Sequence, residues 1–259
     1  MRPARSGILA ANIIVLALAL ALAGCAVAPA PTPSPPPAQT ASPAPTPIPT
    51  VMPTPAMTPA PAPNQALIDA AEAGDLARVR TALAQGASPA FADERGVTAL
   101  IAAAYANRVD IAQVLIEAGA DVNTQDRTRQ SAYLIATSDG FADLLRLTLR
   151  HGADVRSTDS YNGTGLIRAA DRGHVEVIRE LLKTNIALDH VNRLGWTALL
   201  EAIILGDGGE RHTEVVRMLI AAGANVNLAD GSGVTPLAHA RRRNQTRVVA
   251  LLEAAGARP

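Results

Sequence analysis

The sequence predicts an all-α solenoid of about six stacked helix-turn-helix repeats with short β-hairpin fingers, preceded by a leader and a linker. Three observations support this prediction. Gly86, Gly119 and Gly152 lie 33 residues apart, and the same interval separates Gly223 from Gly256. A Ser or Thr stands at one place in each later copy, and apolar residues at helical spacing lie between these two markers. A fixed period of this size is typical of stacked repeats, which present a long binding surface.

The first 24 residues have the pattern of a secretory signal peptide. Arg2 and Arg5 give a short basic start, and residues 8–23 form an almost unbroken apolar run. That run is shorter than the roughly 20 apolar residues that span a bilayer, and small residues end it. We therefore expect residues 1–24 to be removed on export.

The end of this segment, Leu22-Ala23-Gly24-Cys25, resembles the lipobox of bacterial lipoproteins. The resemblance implies that Cys25 becomes the lipidated first residue of the mature protein, because this family acylates that cysteine. The alternative is a chance cysteine after an ordinary signal peptide or an uncleaved anchor. Ala26 stands where the family's inner-membrane retention signal usually places Asp. In a Gram-negative cell this favours an outer-membrane anchor that faces the periplasm.

Residues 25–63 are predicted to form a disordered linker that begins at the lipidated cysteine. Residues 26–63 contain 15 of the 19 prolines and no charged residue. This composition offers too few large apolar groups to offset the entropy of ordering, and proline keeps the chain extended. A proline-rich ligand for a recognition domain is the alternative, but no basic-flanked PxxP motif stands out. Cys25 is the only cysteine, so the rest of the chain forms no disulfide, which suits an oxidising compartment.

Residues 64–259 form the predicted repeat domain. Its copies span approximately 64–92, 93–125, 126–158, 159–191, 192–229 and 230–259. In each later copy a hydroxyl is expected to accept hydrogen bonds from the first amides of an inner helix. These residues are Thr98, Ser131, Thr164, Thr197 and Thr235. A second, outer helix follows and ends at the periodic glycine in left-handed conformation, a role that Asn185 is expected to take in the fourth copy.

These motifs resemble the ankyrin repeat. Thr235-Pro236-Leu237, Gly173-His174 and residues 115–123 match the family's pattern directly, and the resemblance covers residues 64–259. It implies a helical solenoid that binds proteins with its hairpin tips and inner helices, which form a concave face. Only one copy keeps Thr-Pro-Leu, and Arg129 replaces a turn glycine, which leaves the turn of the third copy open.

Carried over by position, the resemblance implies a set of contact residues for a partner protein. The tip residues, expected to be exposed, are Glu94, Arg95, Val97, Arg127, Thr128, Gln130, Ser160, Tyr161, Arg193, Leu194, Trp196, Ser232 and Val234. The inner-helix residues are Tyr105, Ser138, Asp139, Asp171, Arg172, Ile204 and Leu205. Trp, Tyr and Arg are frequent hot-spot residues at interfaces. Packing of Trp196 between neighbouring hairpins is the alternative for that residue.

The insertion in the fifth copy and one shared repeat position are two further candidate sites. Five extra residues fall within 205–212 and are expected to bulge the turn between the two helices of the fifth copy. Asp207, Glu210 and His212 lie there, but three such residues in one loop are weak grounds for a metal site. Three polar residues share one repeat position, which predicts a structural ladder across the stack or no contact at all. They are Arg168, Glu201 and His239.

The composition favours a binding protein over an enzyme or a nucleic-acid binder. Net charge is zero and aromatic residues make up 2% of the chain, so there is no basic field and no stacking platform for bases. No phosphate loop or zinc spacing is present in the sequence, so we expect no catalytic residues, cofactor or metal. We expect a monomeric domain that binds another protein as an adaptor or accessory subunit of the envelope. A protective binder of a toxin or stress partner, and a passive envelope spacer, remain the alternatives.

Overall fold

A computed structural model describes residues 62–259, and the predicted signal peptide, Cys25 and nearly all of the predicted linker lie outside the described residues. Twelve α-helices fill the described part, which confirms the predicted solenoid. The inner helices are α1 (Pro63–Glu72), α3 (Ala99–Tyr105), α5 (Ala132–Asp139), α7 (Gly165–Asp171), α9 (Ala198–Ile204) and α11 (Pro236–Arg242). The outer helices are α2 (Leu76–Ala84), α4 (Val109–Glu117), α6 (Ala142–Arg150), α8 (Val175–Leu181), α10 (Glu210–Ala221) and α12 (Thr246–Ala254).

The helices form two layers. Each inner helix packs on the inner helix of the next repeat and on the outer helix of its own repeat, and the outer helices stack in the same way. The third residue of each inner-helix marker lies between the layers and is fully buried, as Leu100, Leu166, Leu199 and Leu237 show. None of the helices within residues 62–259 is both long and apolar enough to cross a bilayer.

The hydroxyl markers begin the inner helices, as predicted. Thr98, Ser131, Thr197 and Thr235 each accept a hydrogen bond from the amide three residues on, at 3.2 to 3.3 Å. Such caps satisfy one of the amides that a helix start leaves unpaired. Thr164 precedes α7 without this bond, and its buried hydroxyl has no hydrogen-bond partner.

The outer helices end at the periodic glycines in left-handed conformation, with one exception. At Gly119, φ is +97°, and the next amide donates to the carbonyl of Leu115 at 2.9 Å. The prediction for Asn185 was wrong, because its φ is not positive. Helix α8 instead ends at Leu181, and Thr184 closes the turn. Its hydroxyl donates to the Leu181 carbonyl at 2.6 Å and accepts from the Ile186 amide at 3.3 Å.

The connections that precede the inner helices are tight turns, which we call fingers. They span residues 93–97, 126–130, 159–163, 192–196 and 230–234. Each finger takes the number of its repeat, so these are the second to sixth fingers. Within residues 62–259 the β-structure is limited to two isolated bridges, at the second and fourth fingers, so the predicted hairpins are shorter than expected. Arg129 holds the same left-handed turn position as Gly96, with φ +63° against +79°. The third finger therefore keeps the turn that the sequence left open.

One departure from the repeat pattern has a packing cause. Tyr133 occupies the position of the buried leucines, and its ring is 1% exposed. Directly against it, the next repeat has Gly165 where other copies have Ala or Pro. A Cβ atom on Gly165 would lie 2.6 Å from the Tyr133 hydroxyl oxygen and 2.9 Å from Cγ2 of Thr137. The glycine makes room for the larger ring.

The five extra residues of the fifth repeat are shared between a turn and a helix. The turn between α9 and α10 spans residues 205–209, whereas residues 106–108 suffice between α3 and α4. Helix α10 has 12 residues against nine in α4. The expected bulge in the turn therefore accounts for two of the extra residues, and the other three lengthen the outer helix at its N-terminus.

Candidate functional site

Each finger begins with an Asp or Asn whose side chain holds the turn together. Asp159 Oδ1 accepts from the amides of Tyr161 and Gly163, both at 2.8 Å. The same pair of bonds, to the amides two and four residues on, recurs at Asp93, Asp126, Asn192 and Asp230. Because one oxygen satisfies two amides, the turn is fixed and so is the direction in which finger side chains project.

In two repeats the second carboxylate oxygen of this finger residue pairs with the inner helix nine residues on. Arg168 Nε lies 3.4 Å from Asp159 Oδ2. His239 Nε2 lies 2.8 Å from Asp230 Oδ2. Each finger is thereby tied to the helix that it precedes.

In the fifth repeat the donor and the acceptor of this pair are exchanged, since the finger residue donates and the helix residue accepts. Asn192 Nδ2 donates to Glu201 Oε1 at 2.7 Å. An aspartate at 192 would place two carboxylates together, whereas the amide supplies the donor that Glu201 needs. Arg168, Glu201 and His239 thus bind within their own repeats. The predicted ladder across the stack is absent, because no hydrogen bond or ion pair joins these three residues to one another. Each pairs instead with the finger of its own repeat.

A cavity of about 270 Å³ opens where the fourth and fifth fingers meet helices α7 and α9. We call it the acidic cavity, because three carboxyl groups and one guanidinium line it. Its lining residues are Asp159, Tyr161, Gly163, Ile167, Arg168, Asp171, Asn192, Leu194, Glu201 and Leu205. This volume lies just below the roughly 300–1,000 Å³ of typical ligand pockets, which suits a single side chain rather than a whole cofactor.

Glu201 is the most perturbed group of the acidic cavity. It is 5% exposed, and its Oε2 atom has no hydrogen-bond partner. Burial raises the pKa of Glu201 to about 7, and the charge of Asp171 acts in the same direction. The Asn192 hydrogen bond and the Arg168 charge lower the pKa of Glu201 but do not offset burial. The carboxyl group is therefore poised to change charge near neutral pH.

Exposed apolar side chains surround the mouth of the acidic cavity. Tyr161 is 60% exposed, Leu194 53% and Leu205 50%. All three were predicted contact residues. Large apolar groups held in water beside a polar cavity are typical of a surface that a partner covers.

A second, shallower cavity lies between the second and third fingers. Tyr105, itself half exposed, lines it together with the predicted residues Glu94, Arg95, Arg127 and Thr128. The Arg127 amide donates to the Arg95 carbonyl at 2.9 Å, so the two fingers are joined. The structure thus brings the predicted residues of these two copies together on one surface.

Two predicted contact residues are buried. Val97 is 8% exposed and forms part of the core, because the finger turns its last side chain inwards. The exposure expected for Val97 at the finger tip was therefore wrong. Ser138, predicted as an inner-helix contact, is 7% exposed, and its hydroxyl lies 3.5 Å from Arg168 Nη2. The corresponding residue of the fifth finger, Trp196, is partly buried, and its amide donates to Asn192.

The remaining predicted residues are distributed along the same surface, which we call the finger face: the five fingers and the open side of the inner helices. Arg172 pairs with Asp139 of the preceding repeat at 3.3 Å. Those that are exposed are Ser160, Arg193 and Ser232, and those that are partly buried are Gln130, Asp171, Ile204 and Val234.

The sequence analysis missed the finger acids and set Glu201 aside. Asp93, Asp126, Asp159, Asn192 and Asp230 occupy one repeat position, so alignment on the glycines could have found them. Burial of Glu201 and its missing partner atom depend on side-chain packing and leave no trace in the periodicity.

The loop that was weighed as a metal site has a structural role. His212 is buried, its Nδ1 lies 3.0 Å from Asp207 Oδ1, and its Nε2 lies 3.0 Å from the carbonyl oxygen of Asp171. The histidine therefore joins the fifth repeat to the end of α7. Within residues 62–259, no group of three or more His, Cys, Asp or Glu side chains is arranged to hold a metal ion.

The family model for ankyrin repeats matches residues 56–126 and 133–230. Among curated proteins, the ankyrin repeat protein YahD of Escherichia coli (strain K12) is 46% identical over 77 residues. That alignment spans 30% of this chain and 38% of YahD, so the chain covers well under half of that relative.

Solved structures agree with the family match. An ankyrin repeat domain from Acinetobacter baumannii AYE is 49% identical, with a TM-score of 0.72, and the alignment covers 74% of this chain and 98% of that one. The human ASB11 ankyrin repeat domain is 29% identical, with a TM-score of 0.63, over 74% of this chain and 84% of that one. The matching family is one of interaction modules rather than of enzymes.

Proposed function

Because this chain belongs to the ankyrin-repeat family, we propose that it binds another protein through the finger face, centred on the acidic cavity. We propose further that it does so as a lipid-anchored adaptor or accessory subunit of the cell envelope. Ankyrin repeats are generally protein–protein interaction modules, and the partner and the location are our own inference. The acidic cavity gives the surface a centre, and the fingers give it a fixed shape.

The distribution of exposed apolar side chains carries this proposal. Within residues 62–259 five large apolar residues are well exposed, and four of them lie on the finger face. These four are Tyr105, Tyr161, Leu194 and Leu205. Exposed apolar groups that gather on one surface, beside buried charge, mark an interaction site, whereas scattered ones need no explanation. Rigid aromatic and aliphatic anchors around a small cavity are the arrangement in which hot spots occur.

The proposed location depends on Cys25. Acylation of its thiol and its new amino group would give more than one acyl chain, which stable anchoring needs, since a single chain binds only marginally and reversibly. Residues 26–63 would then hold the repeat domain away from the membrane. A Cys25→Ser chain is expected to leave the membrane fraction, and the mass of the N-terminal peptide would report the acyl groups directly.

A capture experiment from native envelopes tests the binding proposal. The full tagged chain is compared with a chain that carries Tyr161→Ala and Leu194→Ala. A matched control carries Arg80→Ala and Arg150→Ala, two exposed positions on outer helices. A protein that is retained by the parent and by the control, but not by the finger-face variant, supports the proposal. Equal retention by all three contradicts it and favours a passive spacer.

An adaptor and a protective binder of a toxin predict different partners for the same surface. An adaptor should co-purify with a stable envelope complex in unstressed cells. A protective protein should instead retain a partner that is toxic when the chain is deleted, so a deletion phenotype separates the two.

A further inference from the structure

We infer that the acidic cavity receives a lysine or arginine side chain from an extended segment of the partner. The inference rests on the proposed function and adds the chemistry that the surface recognises. Glu201 and Asp171 are the groups that contact the cation. The apolar rim of the cavity, which consists of Tyr161, Leu194 and Leu205, contacts the partner residues on either side of the basic residue.

The charge of the cavity favours a cation. Asp159, Asp171 and Glu201 line it, against the single guanidinium of Arg168. Arg168 already lies 3.4 Å from Asp159, so those two charges largely compensate one another. Asp171 and Glu201 then leave an excess of negative charge at the cavity wall, and a bound cation would offset it.

One hydrogen-bond acceptor atom of the residues that line the cavity has no partner. Glu201 Oε1 is occupied by Asn192, but Oε2 has no hydrogen-bond partner although its side chain is almost wholly buried. An orphaned buried carboxylate oxygen is costly in free energy, and native structures normally satisfy such atoms. Glu201 lines the cavity but its Oε2 atom is closed to solvent, so a donor that enters from the mouth supplies the missing bond once the side chains over Oε2 move aside. Lysine and arginine offer only donors.

The size and the rim favour a side chain over a free ion. A cavity of about 270 Å³ accommodates a long side chain, and it lies beside exposed Tyr161, Leu194 and Leu205. An inorganic cation gains nothing from this apolar rim. A peptide that presents a basic residue between two apolar residues uses both parts, because its apolar neighbours cover the rim while the stem of the basic residue lines the opening.

Binding is expected to release a proton near neutral pH. Four side chains act on Glu201 from the neighbouring elements. Asp171 and Arg168 belong to helix α7, Asp159 belongs to the fourth finger, and the uncharged Asn192 belongs to the fifth finger. On the other sides of α9, His239 of α11 pairs with Asp230, and His212 of α10 pairs with Asp207. A cation beside Glu201 stabilises the carboxylate, so the proton passes to the buffer. Because only the deprotonated form binds well, the affinity should rise roughly tenfold from about pH 6 to about pH 8.

The test uses the full purified chain and two synthetic peptides. Acetyl-Leu-Arg-Leu amide is titrated calorimetrically, and the same peptide with neutral citrulline in place of arginine serves as its isosteric control. Titrations at two pH values, each in two buffers of different ionisation enthalpy, give the affinity and the number of protons released. Trp196, the only tryptophan of the chain, reports on the fifth finger in parallel.

The expected result is saturable binding of the arginine peptide, at least about tenfold weaker binding of the citrulline peptide, and release of protons. Glu201→Gln should weaken the arginine peptide by roughly tenfold or more and abolish proton release. Glu117→Gln, which removes an exposed carboxylate from outer helix α4, away from the finger face, should change neither. Equal binding of the two peptides, or unaltered binding by Glu201→Gln, would overturn the inference.

Native capture separates this inference from the proposed function. If Tyr161→Ala with Leu194→Ala loses the envelope partner but Glu201→Gln retains it, the finger face is correct and the cation inference is wrong. If neither variant loses the partner, both the proposed function and the cation inference are wrong. Circular dichroism of Glu201→Gln at pH 8 controls for folding, because removal of a buried charge should leave the fold intact.

Discussion

Among the buried polar atoms of residues 62–259 that lack hydrogen-bond partners, the Tyr133 hydroxyl and Glu201 Oε2 have contrasting surroundings. The Tyr133 hydroxyl is enclosed between the third and fourth repeats, against Gly165 and Thr137. Glu201 Oε2 belongs to a side chain that lines an open cavity in the next pair of repeats. In both cases burial raises the pKa of the group. The first atom lies in the packed interior between two repeats, whereas the second belongs to a residue that a ligand in the cavity can approach.

The difference teaches how to separate a packing cost from a binding site. Around Tyr133 the sequence has adapted, since Gly165 removes a methyl group that would otherwise collide with the ring. Around Glu201 the sequence has adapted in the opposite direction. Asn192 donates to the carboxyl group and lowers its pKa, and the Arg168 charge acts in the same direction, but together they do not offset burial. Natural proteins keep such destabilising groups where function requires them.

The largest expected effect concerns Glu201 and pH. Its folded pKa of about 7 exceeds the ordinary 4.5, so the native state holds this proton more tightly than the unfolded state. Glu201 therefore stabilises the fold below about pH 4.5 relative to higher pH, and this contribution is lost as pH rises to about 7. Relative to Glu201→Gln, the wild-type free energy of unfolding should fall by about 3 kcal/mol between pH 4 and pH 8.

Chemical denaturation of both proteins across this pH range measures that difference. Other titrating groups are common to the two chains and cancel in the comparison. A constant difference from pH 4 to pH 8 would show that Glu201 is solvated in the folded protein and would remove the contrast with Tyr133.

The next effect concerns the enclosed site. Gly165→Ala should lower the free energy of unfolding by about 2 kcal/mol, because the new Cβ atom meets the Tyr133 hydroxyl in a well-packed region. The double variant with Tyr133→Leu restores the pattern of the other repeats and should recover most of the loss. Thermal and urea unfolding of the two single variants and the double variant give the coupling between the sites. Additive effects would contradict the packing explanation.

The smallest effect is a gain. Tyr133→Phe removes the unpartnered hydroxyl and leaves the ring, so it should stabilise the protein by about 1 kcal/mol. The change should not alter binding of any partner, because Tyr133 is buried away from the finger face. Loss of stability in Tyr133→Phe would reveal a hydrogen bond to the hydroxyl, for example through an ordered water, and would make this site resemble a satisfied one.

The fold could be predicted from the sequence because its signals are local and periodic. Thr98 and Gly119 mark the start of an inner helix and the end of an outer helix by their own conformational preferences. The same reasoning failed at Asn185, where a neighbouring hydroxyl, that of Thr184, closes the turn without a left-handed residue. A preference shared by Asn and Gly does not oblige Asn to adopt it.

The candidate site was predictable only in outline. Tyr161, Leu194 and Leu205 follow from repeat position, since a residue at a finger tip or an inner-helix end faces outward. Val97 was misplaced, because one residue of rotation decides whether a finger side chain faces water or the core. The properties of Glu201 arise from five groups that meet only after folding, so no window of sequence could show them.

In three repeats the residue that begins the finger pairs with the residue nine positions later, and this pairing bears on how the gene can change. Asp159 with Arg168, Asn192 with Glu201 and Asp230 with His239 are each encoded within one repeat. Duplication or loss of a whole repeat by unequal recombination moves both partners together and strands neither charge. The recognition surface can therefore be lengthened, shortened or reshuffled in single genetic steps, each of which keeps these finger-to-helix pairs complete.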